Sequence, residues 1–230
     1  MIFKLSVFIF SIISCLNCDE SLKFDQNTDF KELKDELGLT KIVGGQIMEI
    51  EGAPYLAQLR YHGFTWLDYA WTLCGGSIIS NLWIVTSAHC LQDRNTNASL
   101  YDIRTGSSRK SRGGTITKIE VIIPHAEYNL TGDFNFDIAL IKLANKIMFT
   151  DRQRPIKLAN SDKIIPDFTE VMVCGFGLTK NTMESDEFLR AVIVKTVSRE
   201  ECKNVFPQLT INMICATVEE GGKSSCQVKY

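Results

Sequence analysis

The chain has 230 residues, of which 45% are hydrophobic and 23% are charged, and its formal net charge is −2. A chain of this length and composition can bury a large core, which argues against intrinsic disorder. Its basic and acidic residues are interspersed, so we expect no broad positive surface for nucleic acid or for an anionic membrane.

The first residues are typical of a secretory signal peptide, which we place at residues 1–18. Lys4 precedes an apolar run over residues 5–16. This run is shorter than the ~20 residues that a helix needs to cross a bilayer. A short buried helix is the alternative, but the charged stretch that follows offers it no apolar partner. We therefore expect a secreted, extracellular protein without a membrane partner.

Residues 19–41 form a separate acidic segment, in which seven Asp or Glu residues stand against four Lys. Phe30, Leu33 and Leu37 recur at the spacing of one helix face, and Gly38 follows them. The pattern fits one or two amphipathic helical turns, and it fits a solvated linker equally well.

The rest of the chain consists of short apolar or alternating runs that are separated by turn-rich stretches. No long helical periodicity lies between them, which favours an all-β fold made of antiparallel barrels. The runs are YLAQLRY, SIIS, LWIVTSA, IEVIIP, DIALIKL, EVMVCGFG and LRAVIVKTV.

Cys74 and Cys90 bracket the segment CGGSIISNLWIVTSAHC. In a secreted chain this pattern favours a disulfide, which would stabilise the fold by about 3 kcal/mol for a loop of this length. A zinc site built from these cysteines and His89 is the alternative, but no second ligand pair occurs at metal-binding spacing. We expect no metal and no cofactor.

Asp137 enters the apolar alternating run DIALIKL, where a carboxylate is unusual unless a neighbouring group needs it. Taken alone, an Asp at this place is more often a strand cap or a turn residue.

Several of these motifs, in this order, resemble the trypsin/chymotrypsin family of serine proteases. The resemblance covers residues 42–227 and implies two six-stranded antiparallel β-barrels. Residues 42–230 then form the protease domain, and residues 19–41 its activation pro-segment. The motifs are KIVGG at residues 41–45, TSAHC, DIALIKL, VCGFG, the loop EECKNVFPQLTINMICA and SSCQ.

The resemblance also implies the chemistry of the site. His89 becomes the general base, because imidazole accepts a proton near neutral pH. Asp137 becomes the acid that orients the His89 ring and fixes its tautomer. The other two histidines, His62 and His125, lie outside such a motif, and we interpret them as ordinary surface or packing residues.

Activation and partners follow from the same resemblance. A trypsin-like protease would cut between Lys41 and Ile42, and the freed amino group of Ile42 would fold inward onto an Asp that precedes the nucleophile. The substrates would be proteins or peptides, and we expect a monomer. A disulfide between Cys202 and Cys215 is implied as well.

The last residues depart from the family pattern. After SSCQ the family continues with Gly-Asp-Ser, whose serine is the nucleophile, whereas this sequence has Val228, Lys229 and Tyr230. We therefore expect a protease domain that is truncated at its C-terminus, has an incomplete second barrel and lacks peptidase activity. A non-catalytic secreted homologue that binds other proteins is the alternative.

Three further residues are interpreted from the same alignment. Ser224 stands where the family's trypsins carry the Asp at the base of the specificity pocket, and it lacks the charge that holds Arg or Lys. Cys174 and Cys226 are expected to stay unpaired, because their family partners lie beyond the nucleophile.

Asn97 and Asn129 begin the triplets NAS and NLT in polar stretches. In a secreted chain these triplets are acceptors for N-linked glycans, so we expect both residues to be glycosylated.

Overall fold

The structure is a computed structural model. It describes the backbone of residues 6–7 and residues 45–62, 70–91, 96–128, 134–160, 164–176 and 185–217. Several expectations lie outside the described residues. They concern almost the whole signal peptide, the pro-segment, Lys41, Ile42, Asn129, Ser224 and Cys226.

The described residues contain eleven strands and one α-helix, so the expected all-β architecture is confirmed. The helix is α1 (Arg199–Val205), and three short 3₁₀ helices cover Ile50–Gly52, Ala88–Leu91 and Ala98–Leu100. The strands are β1 (Ser6–Val7), β2 (Gln46–Ile47), β3 (Leu56–Tyr61), β4 (Trp71–Ile78), β5 (Trp83–Thr86), β6 (Tyr101–Thr105), β7 (Thr115–Pro124), β8 (Ala139–Leu143), β9 (Glu170–Gly175), β10 (Arg190–Val197) and β11 (Cys215–Thr217).

The chain divides into two compact units, and the second, Glu49–Ile156, is a closed barrel. Its six strands follow the order β3-β4-β5-β8-β7-β6, and every neighbouring pair is antiparallel. Closure leaves the barrel no unpaired strand edge. The interior is apolar, with Leu59, Ile84, Ile103, Ile141 and Leu143 almost completely buried.

Alternation of buried and exposed residues explains why DIALIKL is easily predicted as a strand. In β8, Ala139, Ile141 and Leu143 point into the barrel core, whereas Leu140 is exposed and Lys142 is half-buried. Period-two burial is the signature of a strand with one face on the core.

Strand β6 shows no such alternation, and the sequence did not predict it. All five of its residues are buried, including Asp102 and Arg104. Its sequence, YDIRT, alternates apolar and polar residues, a pattern that favours a strand with one exposed face. A charge in a fully buried strand must be paired, because an unpaired buried charge is costly.

A buried ionic cluster supplies that pairing for Asp102, whereas Nη1 of Arg104 donates to the carbonyl of Lys110 at 3.1 Å. Asp102 lies opposite Arg60 of β3 and accepts from its Nε at 2.6 Å and from its Nη2 at 2.8 Å. Nε2 of His62 lies 2.6 Å from Oδ2 of Asp102. Burial alone raises the pKa of Asp102, but the hydrogen bonds and positive charges of Arg60 and His62 outweigh it and hold that pKa below its ordinary value. His62, expected to be an ordinary surface or packing residue, is a member of this cluster.

The first unit comprises Met1–Met48 and Lys157–Tyr230. Its described strands form an antiparallel sheet in which β10 pairs with β9, β11 and β2, and β11 also pairs with β1. Within the described residues this sheet is not closed, so the second barrel is seen only in part. A small core of Val171, Val173, Val194 and Ala216 supports it.

Helix α1 was not predicted, because seven residues are too few to show a helical period. Ser198 caps its N-terminus by accepting from the backbone N–H of Glu201 at 3.1 Å. A disulfide joins Cys202 in the helix to Cys215 in β11. None of the described helices is long and apolar enough to cross a membrane.

A second disulfide, between Cys74 and Cys90, joins β4 to the 3₁₀ helix Ala88–Leu91. Cys90 is buried in the core of the barrel, and its Cα lies 6.2 Å from that of Cys74. This bridge ties the segment that carries His89 to the barrel wall.

Replacing Asp102 by Asn tests the buried ionic cluster. The variant leaves the guanidinium of Arg60 without its counter-charge, so the free energy of unfolding near neutral pH should fall by about 3–5 kcal/mol in urea denaturation. Because folding lowers the pKa of Asp102, its contribution is complete above the unfolded pKa of about 3.9 and is lost as the pH falls through the folded value. The difference between wild type and variant should therefore shrink in acid.

Glu120→Gln is the matched control for that variant. Glu120 pairs with Lys142 at 2.8 Å, but 48% of its side chain is exposed. The loss should stay below about 1 kcal/mol, as for other surface ion pairs. An equally small loss for Asp102→Asn would contradict the importance of the buried cluster.

The double variant Cys74→Ala, Cys90→Ala tests the bridge beside His89. Without the cross-link the unfolded chain gains entropy, so the free energy of unfolding should fall by about 3 kcal/mol. Urea denaturation without reductant measures the change, and the difference should vanish when both proteins are unfolded in reductant, which also opens the Cys202–Cys215 bridge. An unchanged midpoint without reductant would refute this prediction.

Candidate active site

His89 lies in the 3₁₀ helix Ala88–Leu91, three residues beyond the end of β5. The barrel core anchors this helix, because Ala88, Cys90 and Leu91 are all buried in it. His89 itself remains accessible, with 35% of its side chain exposed. The local sequence therefore places one imidazole at the surface of a rigid support.

Asp137 uses both carboxylate oxygens on His89. Its Oδ2 lies 2.7 Å from Nδ1 of the ring, and its Oδ1 accepts the backbone N–H of His89 at 2.7 Å. Only 4% of the Asp137 side chain is exposed. Such a two-point contact fixes both the position of His89 and the rotation of its ring.

This contact also assigns the tautomer of the imidazole. A carboxylate accepts but does not donate, so Nδ1 carries the proton in the neutral ring. The lone pair is then on Nε2. Nε2 is therefore the atom that can take a proton from a hydroxyl group brought to it.

Asp137 does not enter strand β8, as the sequence suggested, but lies in the turn just before it. The backbone N–H of Ile138 donates to the carbonyl of Phe136 at 2.6 Å, so Asp137 is the centre of a three-residue turn. Phe134 and Phe136 both adopt left-handed backbone angles, with φ of 52° and 54°. For bulky residues such angles cost about 1–3 kcal/mol each and persist only where the surroundings enforce them.

Aromatic contacts surround this strained turn. The ring of Phe134 lies edge-on to His89, with centroids 6.3 Å apart. The ring of Phe136 stacks flat on His125, with centroids 4.7 Å apart and an interplanar angle of 5°. The sequence did not indicate these contacts, and from the sequence we interpreted His125 as an ordinary surface or packing residue. The one available signal was the pair of phenylalanines at alternate positions directly before Asp137.

Cys74, His89 and Cys90 form a group of possible metal ligands, with donor atoms within 4.8 Å of one another. The two sulfurs are bonded to each other, so neither is a thiolate while the disulfide is intact. Sγ of Cys90 lies 3.6 Å from Nε2 of His89. The disulfide accounts for this cluster, in agreement with the preference for a disulfide over a zinc site.

The other described cysteine is Cys174 in β9. It is half-buried and lies outside both disulfides.

Comparison with known proteins agrees with this geometry. The family model for trypsin matches residues 42–228. Trypsin 5G1 of Aedes aegypti is 36% identical over 191 residues, which are 81% of this chain and 68% of that protein. A trypsin of Simulium vittatum is 35% identical over 81% of this chain and 74% of its own length, and a trypsin of Phaedon cochleariae is 34% identical over 77% and 73%. These matches show that the chain belongs to the trypsin-like serine protease family.

Proposed function

We propose that this chain is the precursor of a secreted serine endopeptidase, with His89 as the general base and Asp137 as its orienting acid. One observation carries the proposal, which is the two-point contact between the Asp137 carboxylate and His89. This contact leaves Nε2 as the basic atom of a partly exposed ring.

The proposed reaction is acyl transfer. Nε2 of His89 takes the proton of a serine hydroxyl while the serine oxygen attacks the carbonyl carbon of a peptide bond. The imidazolium then gives that proton to the departing amine as the C–N bond breaks. Water then attacks the carbonyl carbon of the acyl-enzyme while Nε2 of His89 takes a proton from the water. The imidazolium returns this proton to the serine oxygen as the ester bond breaks, and Asp137 stabilises the imidazolium each time it forms.

The 230 residues supply no serine at the position where the family has its nucleophile, which is the serine of Gly-Asp-Ser after SSCQ. There the sequence has Val228, Lys229 and Tyr230 in place of Gly-Asp-Ser. A polypeptide made of these residues therefore has a base and an orienting acid but no aligned hydroxyl for the base to deprotonate. We propose that it has no peptidase activity by itself.

Processing and substrate choice complete the proposal. Residues 1–18 direct secretion, and a protease that cuts after basic residues activates the precursor between Lys41 and Ile42. The substrates are proteins or peptides, and the protein acts as a monomer. Ser224 provides no charge at the base of the pocket, which favours an apolar or small side chain over Arg or Lys before the scissile bond.

The test compares two secreted polypeptides after cleavage behind Lys41. One consists of the 230 residues, and the other continues after Gln227 with a Gly-Asp-Ser-containing C-terminal segment of the family. We expect only the extended form to react with a fluorophosphonate probe and to hydrolyse chromogenic peptides. Labelling of the 230-residue form that His89→Ala abolishes would contradict the proposal.

Variants of the extended form assign the roles of the two residues. His89→Ala should lower kcat by about a million-fold, and Asp137→Asn by about ten-thousand-fold through the wrong tautomer, the losses known for equivalent changes in related enzymes. His62→Gln is the control, because His62 contacts Asp102 rather than the site. An equal loss in all three variants would indicate a folding defect instead of a catalytic role.

Glycosylation of Asn97 and Asn129 also remains a proposal. Asn97 is exposed, and its Oδ1 accepts from both the backbone N–H and the hydroxyl of Ser99, the third residue of its acceptor triplet. The geometry presents this triplet at the surface.

We expect each of the single variants Asn97→Gln and Asn129→Gln to increase the gel mobility of secreted protein, and glycosidase treatment to remove the difference. Mobility that neither variant nor glycosidase changes would rule out both sites.

A further inference from the structure

We propose that His125 is a positioning residue for Asp137, acting through the ring that it stacks on Phe136. The inference rests on the proposed function, in which Asp137 orients His89. Among the described residues, no hydrogen bond or ring contact joins His125 to His89 or Asp137, so it acts through the backbone on either side of the carboxylate. This role differs from the ordinary packing role that its sequence context suggested.

The first link is the stack itself. The His125 and Phe136 rings are almost parallel, and their centroids are 4.7 Å apart. Phe136 directly precedes Asp137 and is held at φ 54°. A phenylalanine does not adopt this angle by preference, so a contact must hold it there. The flat face of His125 provides such a contact.

The second link is a backbone hydrogen bond on the other side of Asp137. The N–H of His125 donates to the carbonyl of Ile138 at 2.9 Å. This bond continues the antiparallel pairing of β7 and β8, whose last aligned pair is Pro124 and Ala139. The two neighbours of Asp137 in the chain, Phe136 and Ile138, are thus both attached to His125.

The His125 ring is itself fixed by a turn. Its Nδ1 accepts the backbone N–H of Glu127 at 3.1 Å, and its carbonyl accepts the N–H of Tyr128 at 3.0 Å. The first bond restricts the rotation of the imidazole and adds to the effect of the stack. The exposed ring thus presents its face to Phe136.

Loss of the stack has a geometric consequence for the site. Both oxygens of Asp137 lie 2.7 Å from nitrogen atoms of His89, so a small rotation of the carboxylate lengthens at least one of these contacts. Relaxation of Phe136 out of the left-handed region would rotate Asp137, because the two residues share a peptide plane. The backbone bond from His125 would remain and keep β8 paired.

The test needs no nucleophile, because it observes the proton on Nδ1 of His89. A proton between an imidazole and a carboxylate at short distance gives a far-downfield nuclear magnetic resonance signal. The 230-residue polypeptide, labelled with ¹⁵N-histidine, should show this signal, and comparison with His62→Gln separates it from any signal of His62, whose Nε2 lies 2.6 Å from Asp102. His125→Ala should broaden or abolish it, whereas His125→Phe, which keeps a flat ring, should retain it.

Two further variants separate the stack from general stability. Phe149→Leu is the control, since Phe149 is a 49% exposed phenylalanine of the same unit, and it should leave the signal intact. Phe136→Gly has no ring to stack and adopts left-handed and right-handed angles about equally well, so nothing fixes the peptide plane before Asp137, and the signal should broaden or disappear while the protein stays folded in thermal denaturation. It also carries the test if His125→Ala does not fold.

A downfield signal that is unchanged in both His125→Ala and Phe136→Gly would overturn the inference. Loss of the signal in folded His125→Phe would also overturn it, because the stack would then be insufficient. In the extended, active form, His125→Ala should lower kcat by about ten- to hundred-fold with little change in KM.

Failure of the proposed function has a different signature. In that case the extended wild-type protein would not hydrolyse peptides, while the responses of the downfield signal to the His125 and Phe136 variants would still be measurable. The two hypotheses can therefore fail independently.

Discussion

The contact between Asp137 and His89 is the constraint on which the described site depends. Two residues that are 48 positions apart in sequence meet through two bonds of 2.7 Å, one to the ring and one to the backbone of the same histidine. The bond to the backbone N–H fixes the position of the carboxylate. The contact with the ring then favours the tautomer that carries its proton on Nδ1. Neither bond alone would define both the place and the basic atom of the imidazole.

The barrel holds the two residues of this contact in place. His89 follows β5 and Asp137 precedes β8, and these two strands are hydrogen-bonded neighbours, with Thr86 opposite Ala139. Closure of the six strands and the Cys74–Cys90 bridge limit movement of either partner. The site thus lies at the ends of paired strands, where the hydrogen-bonded sheet holds the adjacent loop residues in fixed positions.

The same unit tolerates two features that are unfavourable in isolation. One is the buried Arg60–Asp102 pair, whose desolvation is offset by two hydrogen bonds between the partners and by the contact with His62. The other is the left-handed backbone of Phe134 and Phe136 beside the carboxylate of Asp137. Strain that accumulates next to reacting groups and is held by surrounding packing is common in active sites. Here the aromatic contacts with His89 and His125 supply that packing.

The sequence by itself determined the fold class and the family, and it singled out His89 and Asp137, which the structure brings into contact. Alternating burial in β8 and the spaced motifs around His89 and Asp137 are local patterns, and local patterns can be read along the chain. The tertiary structure alone decided that YDIRT is buried on both faces, since the charge of Asp102 is acceptable there only opposite Arg60. It also decided that Asp137 lies in a turn and that His125 reaches Phe136. The buried strand and the ring contact depend on residues that are far apart along the chain, and the turn depends on a left-handed backbone at Phe136 that no residue pattern indicates.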